Sequence, residues 1–438
     1  MAALASSCRA RSRSADGGAP GSVRHRSRGG LETPSAERDP RPLRVCVVRY
    51  FWFELDSRVQ RMTYALADHG AEVDVVCLSE PGEVPVDHGA VRIHRADRSR
   101  ITTTSGAREY VLGYARFLAL AALKIAVLDR RRRFDLIQVH TMPDALAFAA
   151  AAPKLRGVPL LLDVHDTFPE LFATRFGRGP GDRLVRLVER EEALAAAVAD
   201  RMLAVTEEAR DRLASRGAGG GKTEVVMNSP DERVFGPPRS PIALPPSGPV
   251  RCVYHGGLAP RFGLETLVRG VGIAHQRRPE LSLDVYGMGD ERAEVAALAA
   301  TTAPAAVRVA DAAVPFESIP AKLAEAHVGV VPTLHDGFTE LLLPVKLLEY
   351  VHMGLPVVVS RLPTIERYFG PDEVEFYEPG SPASLAAALE RVCADPAAAR
   401  ARAARASARL TEIGWPVQRR RYLAVVDELV GTPRAGAG

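Results

Sequence analysis

The composition of this 438-residue chain excludes several broad classes of protein. Its length predicts two or three domains, and its hydrophobic content of 47% is enough to form buried cores. The net charge of +4 arises in the first 44 residues, where nine arginines outnumber four acidic residues, so the remainder carries −1 and is not typical of a nucleic-acid-binding protein. Five scattered cysteines lack the paired spacing of a zinc site.

The first 42 residues differ in composition from the rest of the chain. They are rich in arginine, serine, glycine and proline and contain few large apolar side chains, so we predict a disordered and dispensable tail. They also lack the continuous apolar segment of a secretory signal. Binding of the tail to an acidic surface is the alternative interpretation.

Apolar strand-like runs alternate with helical segments from residue 43 to residue 236. Predicted strands cover 45–48, 72–78, 91–94, 135–140, 159–164, 202–206 and 223–228. This alternation predicts parallel βαβ units that form one doubly wound sheet. The helix predicted over 110–128 has the length of a membrane span, but Arg116 and Lys124 interrupt it. We therefore expect a packed helix, with a membrane-touching helix as the alternative.

A proline-dense stretch, 237–249, predicts a linker, and the alternation starts again after it. The next predicted strands cover 250–255, 281–287, 307–309, 328–332 and 356–360. The chain is therefore predicted to be an α/β protein with two Rossmann-like domains, 43–236 and 250–414, each built on a doubly wound parallel sheet. Two such domains place a ligand in the cleft between them, at the carboxyl ends of the strands.

The second domain carries charged residues at the start of a predicted helix. Pro344 suits the first helical turn, and Lys346 and Glu349 follow it. Backbone N–H groups at such a helix start attract an anion such as a diphosphate. Glu349 can accept hydrogen bonds from two neighbouring hydroxyls, as a ribose offers. The alternative is that Lys346 and Glu349 form an ordinary solvated helix face.

Two histidines end predicted strands of the first domain. His140 and His165 are expected at the carboxyl ends of strands that face the proposed cleft, which favours a functional role over a structural one. Asp166 and Glu170 follow His165 and are predicted to orient it or to bind an acceptor. For Asp166, capping of a helix that starts at Thr167 is the alternative.

Five stretches of the chain resemble motifs of one enzyme family. They are VHTMPDALAFAAAAPKLRGVPLLLDVHDTFPE (139–170), VVMNSPDERVF (225–235), YHGGLAPRFGLETLVRGV (254–271), VYGMGDE (285–291) and PVKLLEYVHMGLPVVVS (344–360). In this order they resemble family four of the glycosyltransferases, which have the GT-B architecture of two Rossmann-like domains. The resemblance implies that the first domain binds the acceptor and the second a nucleotide-diphosphate sugar. It also implies that a final helix, 415–431, crosses back to the first domain.

The resemblance implies roles for individual residues as well. The catalytic candidates are His140, His165 and Glu340. The donor-binding candidates are Gly256, Gly257, Arg261, Val314, Lys346 and Glu349. The acceptor-binding candidates are Asp56, Arg58, Asp166 and Glu170. The chain departs from the family pattern at Leu341, where the family has a glutamate that Glu340 replaces one residue earlier, and in segment 50–61, where the family has a glycine-rich loop.

These features predict a retaining glycosyltransferase that moves a sugar from a nucleotide-diphosphate sugar, a UDP-sugar above all, to a glycan, lipid-linked or small-molecule acceptor. The donor is a co-substrate, and neither a cofactor nor a metal ion nor nucleic acid is expected. A cytoplasmic location is predicted, with peripheral contact to the inner membrane surface left open.

Other classes of protein share the two-domain architecture. A nucleotide-sugar epimerase and a non-catalytic GT-B-like partner protein remain alternatives. A phosphorylase is disfavoured because its cofactor-lysine motif is not recognisable. A nicotinamide-dependent oxidoreductase is disfavoured because Arg49, Tyr50 and Phe51 follow the first strand in place of G-x-G-x-x-G.

Overall fold

The computed structural model describes residues 41–79, 89–97, 107–179, 181–245, 247–289, 291–312 and 314–431. Of the predicted tail only residues 41 and 42 are among them, so that prediction lies outside the described residues. The described chain contains two parallel sheets, one before and one after the proline-dense stretch.

The first sheet has seven parallel strands. They are β1 (Arg44–Arg49), β2 (Glu72–Leu78), β3 (Val91–Asp97), β4 (Leu136–His140), β5 (Leu160–Val164), β6 (Arg201–Ala204) and β7 (Thr223–Val225). Their order across the sheet is β3-β2-β1-β4-β5-β6-β7. The strand order reverses between β1 and β4, and such a switch point opens a crevice at the carboxyl ends of the strands.

Helices cover both faces of this sheet. They are α1 (Ser57–Asp68), α2 (Ala107–Arg131), α3 (Ala151–Lys154), α4 (Phe168–Arg175), α5 (Arg183–Val198), α6 (Glu207–Ser215) and α7 (Glu232–Phe235). Side chains alternate between the two faces of a strand. Accordingly, Cys46 and Val48 of β1 pack in one core with α2 and α5, whereas Val45 and Val47 pack in another core with α1.

Helix α2 is a packed helix, as the sequence predicted. Its Phe117, Ala121 and Ile125 are buried in the core that also contains Cys46 and Val48. Across the described ranges, no helix is both long enough and apolar enough to cross a membrane.

The second sheet has six parallel strands, in the order β10-β9-β8-β11-β12-β13. They are β8 (Val250–Gly257), β9 (Leu281–Met288), β10 (Val307–Val309), β11 (Val328–Val331), β12 (Val357–Ser360) and β13 (Glu375–Tyr377). The helices are α8 (Leu264–Arg277), α9 (Arg292–Thr302), α10 (Ile319–Ala324), α11 (Val345–His352), α12 (Pro363–Tyr368), α13 (Pro382–Ala394), α14 (Pro396–Ile413) and α15 (Trp415–Gly431). These two parallel sheets with their helices confirm the predicted fold class of two Rossmann-like α/β domains.

Glycine is required where the chain enters α8. Gly263 has a φ of +65°, and a Cβ at this position would meet the carbonyl oxygen of Pro332 at 2.0 Å. Any other residue would therefore disturb the contact between this turn and the loop after β11.

The last helix, α15, packs against the first sheet although it follows the second. Its Tyr422, Val425, Val426 and Leu429 are buried in the core that contains α1. The hydroxyl of Tyr422 donates to Oε1 of Gln138 in β4 at 2.5 Å. The apolar side of α15 thus lies against the first half of the molecule.

Candidate active site

The two halves of the described chain contact each other next to their strand ends. Thr206, directly after β6, donates its hydroxyl hydrogen to the carbonyl oxygen of Leu341 at 2.7 Å. Arg212 of α6 donates to the carboxylate of Glu340 at 3.0 Å. Both acceptors lie in the short 3₁₀ helix that precedes α11, so the segment before α11 is tied to the first half.

A cavity of about 220 Å³ lies where β8 and β9 end. It is lined by His255, Gly256, Gly257, Tyr286, Gly287, Met288, Val314, Phe316 and Ile319. Three of the predicted donor-binding residues, Gly256, Gly257 and Val314, thus line the same cavity. Gly256 has a φ of +124°, and a Cβ there would lie 3.1 Å from the Cε atom of Lys346. Glycine therefore makes room for the lysine side chain beside the cavity.

Two cationic side chains lie beside the cavity. The Nζ atom of Lys346 donates to the hydroxyl of Tyr254 at 3.2 Å and lies 4.5 Å from the ring centroids of both Tyr254 and Phe262. Arg261 stacks near Phe262 at 5.0 Å, and its buried Nε atom has no hydrogen-bond partner among the described residues. Burial lowers the pKa of Lys346 to about 8, although the charge of Glu349 raises it.

Glu349 lies one turn inside α11 and is buried. Its Oε2 atom is 3.1 Å from Nε2 of His255, at angles that do not make a hydrogen bond. In the first half, Arg61 is buried within the electrostatic range of Glu349, and two of its guanidinium nitrogens lack a partner within the described chain. Burial lowers the pKa of Arg61 to about 10. Glu349 is therefore a buried carboxylate with hydrogen-bonding capacity left for a ligand.

His140, Asp163 and His165 form a cluster at the ends of β4 and β5. Asp163 accepts a bidentate pair from Arg58 at 2.6 and 2.9 Å. Its Oδ2 atom also lies 2.8 Å from Nδ1 of His140 and 3.1 Å from Nε2 of His165. Burial favours the protonated form of Asp163, but the charge of Arg58 and the hydrogen bond with His140 outweigh it and hold the pKa of this carboxyl well below its usual range.

The hydrogen-bond partners of His140 define its role. Gln138 donates through Nε2 to the Nε2 atom of His140 at 3.1 Å, so the His140 proton is assigned to Nδ1, which faces Asp163. Both ring nitrogens are therefore occupied, and the side chain is fully buried. His140 lies beneath the cleft and positions Asp163. His165 is 11% exposed, and burial together with the charge of Arg49 lowers its pKa to about 4, so it is neutral at pH 7.

The same cluster has the residue types of a metal site but not the free electron pairs. One ligand atom from each of His140, Asp163 and His165 lies within 4.8 Å of the other two. Both oxygens of Asp163, however, already accept hydrogen bonds from the guanidinium of Arg58. The positive charge of Arg58 opposes a second cation at this place, so these residues do not suit a metal ion.

The predicted acceptor-binding residues have different surroundings. Asp56 caps α1 by accepting from the backbone N–H of Val59 at 3.1 Å, and it pairs with Arg49 at 2.9 Å. Arg58 is fully engaged with Asp163 and the carbonyl oxygen of Val226. These two side chains therefore form contacts within the first half at the edge of the cleft.

Glu170 and Glu340 belong to one ion-pair network that joins the two halves. Arg212 contacts Glu170 at 3.2 Å and Glu340 at 3.0 Å, and Arg216 also pairs with Glu170. The carboxylate of Glu340, a predicted catalytic group, is therefore used in a contact between the halves.

Asp166 is the acceptor-binding candidate that remains partly exposed. Burial raises its pKa, while the charges of Arg49 and Arg261 lower it. Arg261 follows β8, so this carboxyl faces the second half across the cleft. It does not cap a helix: α4 begins at Phe168 without any side-chain cap, and that alternative is wrong.

Sequence reasoning missed several residues of the site. Tyr254 and His255 lie in the second half of β8 and contact Lys346 and Glu349, which lie some 90 positions later in the chain. No local pattern indicates such contacts, although the YH dipeptide directly before Gly256 was a usable signal.

Two family models match the chain, one in each half. Residues 55–229 match a glycosyl transferase 4-like domain. Residues 249–395 match the glycosyl transferases group 1. Together the two matches cover well over half of the chain.

Relatives with known names support the same assignment. The chain is 28% identical to a 2-deoxystreptamine glucosyltransferase of Streptomyces kanamyceticus over 363 residues, which cover 78% of this chain and 90% of the relative. Among solved structures, a sucrose-phosphate synthase from Thermosynechococcus elongatus has a TM-score of 0.69 at 18% identity and covers 88% of this chain and 99% of its own.

A second solved structure contains bound UDP-glucose. HepE from Anabaena in complex with UDP-glucose has a TM-score of 0.64 at 12% identity, covering 88% of this chain and 100% of its own. At these identities the solved structures show the fold, while the two family models identify the class of enzyme. The chain belongs to the GT-B glycosyltransferases, with a glycosyl transferase 4-like domain followed by a group 1 domain.

Proposed function

We propose that this glycosyltransferase moves a sugar from a UDP-sugar to a glycan, lipid-linked or small-molecule acceptor, with retention of the anomeric configuration and without a metal ion. The observation that carries the proposal is the pair Lys346 and Arg261. Neither cation forms an ion pair with a described carboxylate, and both lie beside a cavity at the ends of β8 and β9. Two partly buried positive charges that no described carboxylate contacts directly suit a diphosphate.

The donor is proposed to span the cavity and the start of α11. The base enters the cavity near Val314, and the ribose hydroxyls donate to the buried carboxylate of Glu349. The diphosphate then lies beside Lys346 and Arg261, where the N–H groups at the start of α11 add partial positive charge. UDP is the proposed nucleotide because HepE, a structural neighbour, binds UDP-glucose.

The main task of the site is to stabilise the departing diphosphate. Negative charge develops on its oxygens as the bond to the sugar breaks, and preorganised cations act strongly in a site closed from water. The sugar becomes positively charged at the same time. Asp163 stays ionised beneath the cleft, and neutral His165 offers hydrogen bonds without adding opposing positive charge.

Retention requires the acceptor to bond on the face from which the diphosphate leaves. Asp166 and His165 are the partly exposed polar groups of the first half at that place, and we propose that they hold the acceptor hydroxyl. The carboxylates of Asp163 and Glu340 are committed to arginines, so neither is proposed as a nucleophile.

A UDP-release assay with product analysis tests the proposal. UDP-glucose and 2-deoxystreptamine are the first probes, because the relative from Streptomyces kanamyceticus is named for that glucosyl transfer. We expect UDP release that an acceptor stimulates and that persists in EDTA, and a product whose anomeric proton has the coupling constant of the donor. Release that needs a divalent cation, or a product of inverted configuration, would contradict the proposal.

A matched pair of variants controls for contaminating activity. Lys346→Met removes a proposed donor contact, whereas Lys154→Met removes an exposed lysine that pairs with Asp200 far from the cavity. Transfer should fall in the first variant and remain at the wild-type level in the second.

A further inference from the structure

Two helices of the first half present matching outward stripes of leucine and arginine. On α5, Arg183, Leu187, Arg190 and Leu194 follow each other at intervals of four, three and four residues, and all four are exposed. This spacing places them on one side of a helix. Val185, Val188 and Ala195 lie on the opposite side and are buried. The outward side of α5 therefore carries both apolar and positively charged side chains.

Helix α2 has the same pattern of exposed apolar and arginine side chains over a longer stretch of helix. Leu112, Arg116, Leu123, Val127 and Arg130 are exposed at helical spacing, and Leu112 and Leu123 are 70% and 63% exposed. The stripe spans 18 residues, roughly 27 Å at 1.5 Å per residue.

The two stripes belong to one surface. The 3₁₀ segment Asp144–Ala150 contacts both α2 and α5, and its Phe148 is 37% exposed. The three segments form one layer because their inner sides share the core with Cys46 and Val48. We call the outward side of this layer, with Leu112, Leu123, Val127, Phe148, Leu187 and Leu194, the leucine–arginine face. Most of the exposed large hydrophobic side chains of the described residues lie on this layer. Apolar side chains scattered singly over a surface would not be concentrated in this way.

The charges of this face point to a partner of opposite sign. Arg183, Arg186 and Arg190 are exposed, and none forms an ion pair with another described residue. On the same helix, Glu192 is turned inward to Arg216, and Glu191 accepts from the backbone N–H of Ala145. Glu189, the remaining acidic side chain of α5, is partly exposed, but the three exposed arginines outnumber it. The outward side of α5 is consequently positive, while its leucines offer apolar area.

We propose that the leucine–arginine face docks on the surface of an anionic lipid bilayer. Leucine side chains enter the boundary between headgroups and acyl chains, and arginines reach the lipid phosphates with their stems along the apolar layer. The face lies on the bilayer surface and does not span the bilayer. This proposal rests on the first-half surface alone and does not depend on the identity of the donor or the acceptor.

Vesicle flotation with the full chain tests the proposal. The probes are vesicles of phosphatidylcholine alone and of phosphatidylcholine with 30% phosphatidylglycerol. We expect binding to the anionic vesicles, weak binding to the neutral ones, and release in high salt. Each arginine near an anionic surface is expected to strengthen binding about fivefold. The double variant Arg183→Glu/Arg190→Glu should therefore bind at least about 20-fold more weakly, and Leu187→Gln/Leu194→Gln should also bind more weakly.

The control variant changes the same charge on the other side of the sheet. Arg420 and Arg421 are exposed on α15, which packs in the core opposite α2 and α5. Arg420→Glu/Arg421→Glu should bind the vesicles like wild type. All variants keep the arginine-rich tail, so a difference between them reports the face, and unchanged melting temperatures show that exposed substitutions leave the fold intact.

Three outcomes would overturn the proposal. The first is that wild type does not float with anionic vesicles. The second is an equal loss in the α5 and α15 arginine variants, which would indicate a general charge effect. The third is that the leucine variant changes a monomer–dimer equilibrium in light scattering but leaves vesicle binding unchanged, which would assign the face to a second copy of the chain.

Discussion

The pKa of Lys346 makes donor binding depend on pH in a defined direction. The lysine must be protonated to attract the diphosphate, and burial lowers its pKa to about 8 in the empty protein. The protonated fraction then falls from about nine tenths at pH 7 to about one tenth at pH 9. If only the protonated form binds well, the Kd for UDP rises about tenfold between these pH values. The bound diphosphate raises the lysine pKa, so binding takes up a proton above pH 8.

Isothermal titration calorimetry of UDP measures both effects. Titrations at pH 7, 8 and 9 give the Kd, and buffers with different ionisation enthalpies give the number of protons taken up. Lys346→Arg keeps its charge throughout, so we expect an affinity that hardly changes over this range. Lys346→Met should lose about 1.5–3 kcal/mol of binding free energy at pH 7 and also show no pH dependence.

Two results would contradict a role of Lys346 in pH-dependent UDP binding. A wild-type affinity that stays constant from pH 7 to pH 9, with Lys346→Met still weak, would mean that the lysine pKa is not lowered. An unchanged affinity in Lys346→Met would mean that the lysine does not contact the donor. Lys154→Met, an exposed lysine paired with Asp200, should match wild type in every titration.

Three further predictions concern the donor site, the tail and the last helix. Glu349→Gln should weaken the binding of both uridine and UDP by about tenfold, because Glu349 is proposed to contact the ribose. Arg261→Ala should weaken the binding of UDP and leave that of uridine unchanged, because Arg261 is proposed to contact the diphosphate. Calorimetry with both ligands tests this, and weaker uridine binding by Arg261→Ala would contradict it. Deleting residues 2–40 should leave the melting temperature and UDP affinity unchanged, since this segment has few apolar residues, and a fall of about 5 °C or more would show that it is docked. Tyr422→Phe leaves a buried amide oxygen without its donor and should lower the free energy of unfolding by about 1–3 kcal/mol, so an unchanged urea midpoint would argue against that hydrogen bond.

Much of the fold could be predicted because it depends on local patterns. The strand predicted over 72–78 matches β2, and the helix expected after Pro344 is α11. Strand β13 was missed because its three residues are too few to show a period. The start of a helix was harder to predict than its presence. Helix α4 begins at Phe168 and not at Thr167, and Asp166 does not cap it.

The residues that surround the cavity could be recognised from the sequence better than the contacts of the first half. Gly256, Gly257 and Val314 line one cavity because they belong to strand ends and a loop that motifs can mark. In the first half, the candidate site is built from pairs that are distant in sequence, such as Arg58 with Asp163, which are 105 positions apart. Sequence alone could not tell that this pair commits Arg58 to the interior.

We expect UDP to bind at the cavity at the ends of β8 and β9, and a crystal structure of the protein with UDP tests this. The uracil should lie near Val314, the ribose hydroxyls on Glu349, and the diphosphate oxygens within hydrogen-bonding distance of Lys346 and Arg261. UDP bound at another place, or bound here with its diphosphate turned away from both cations, would contradict it.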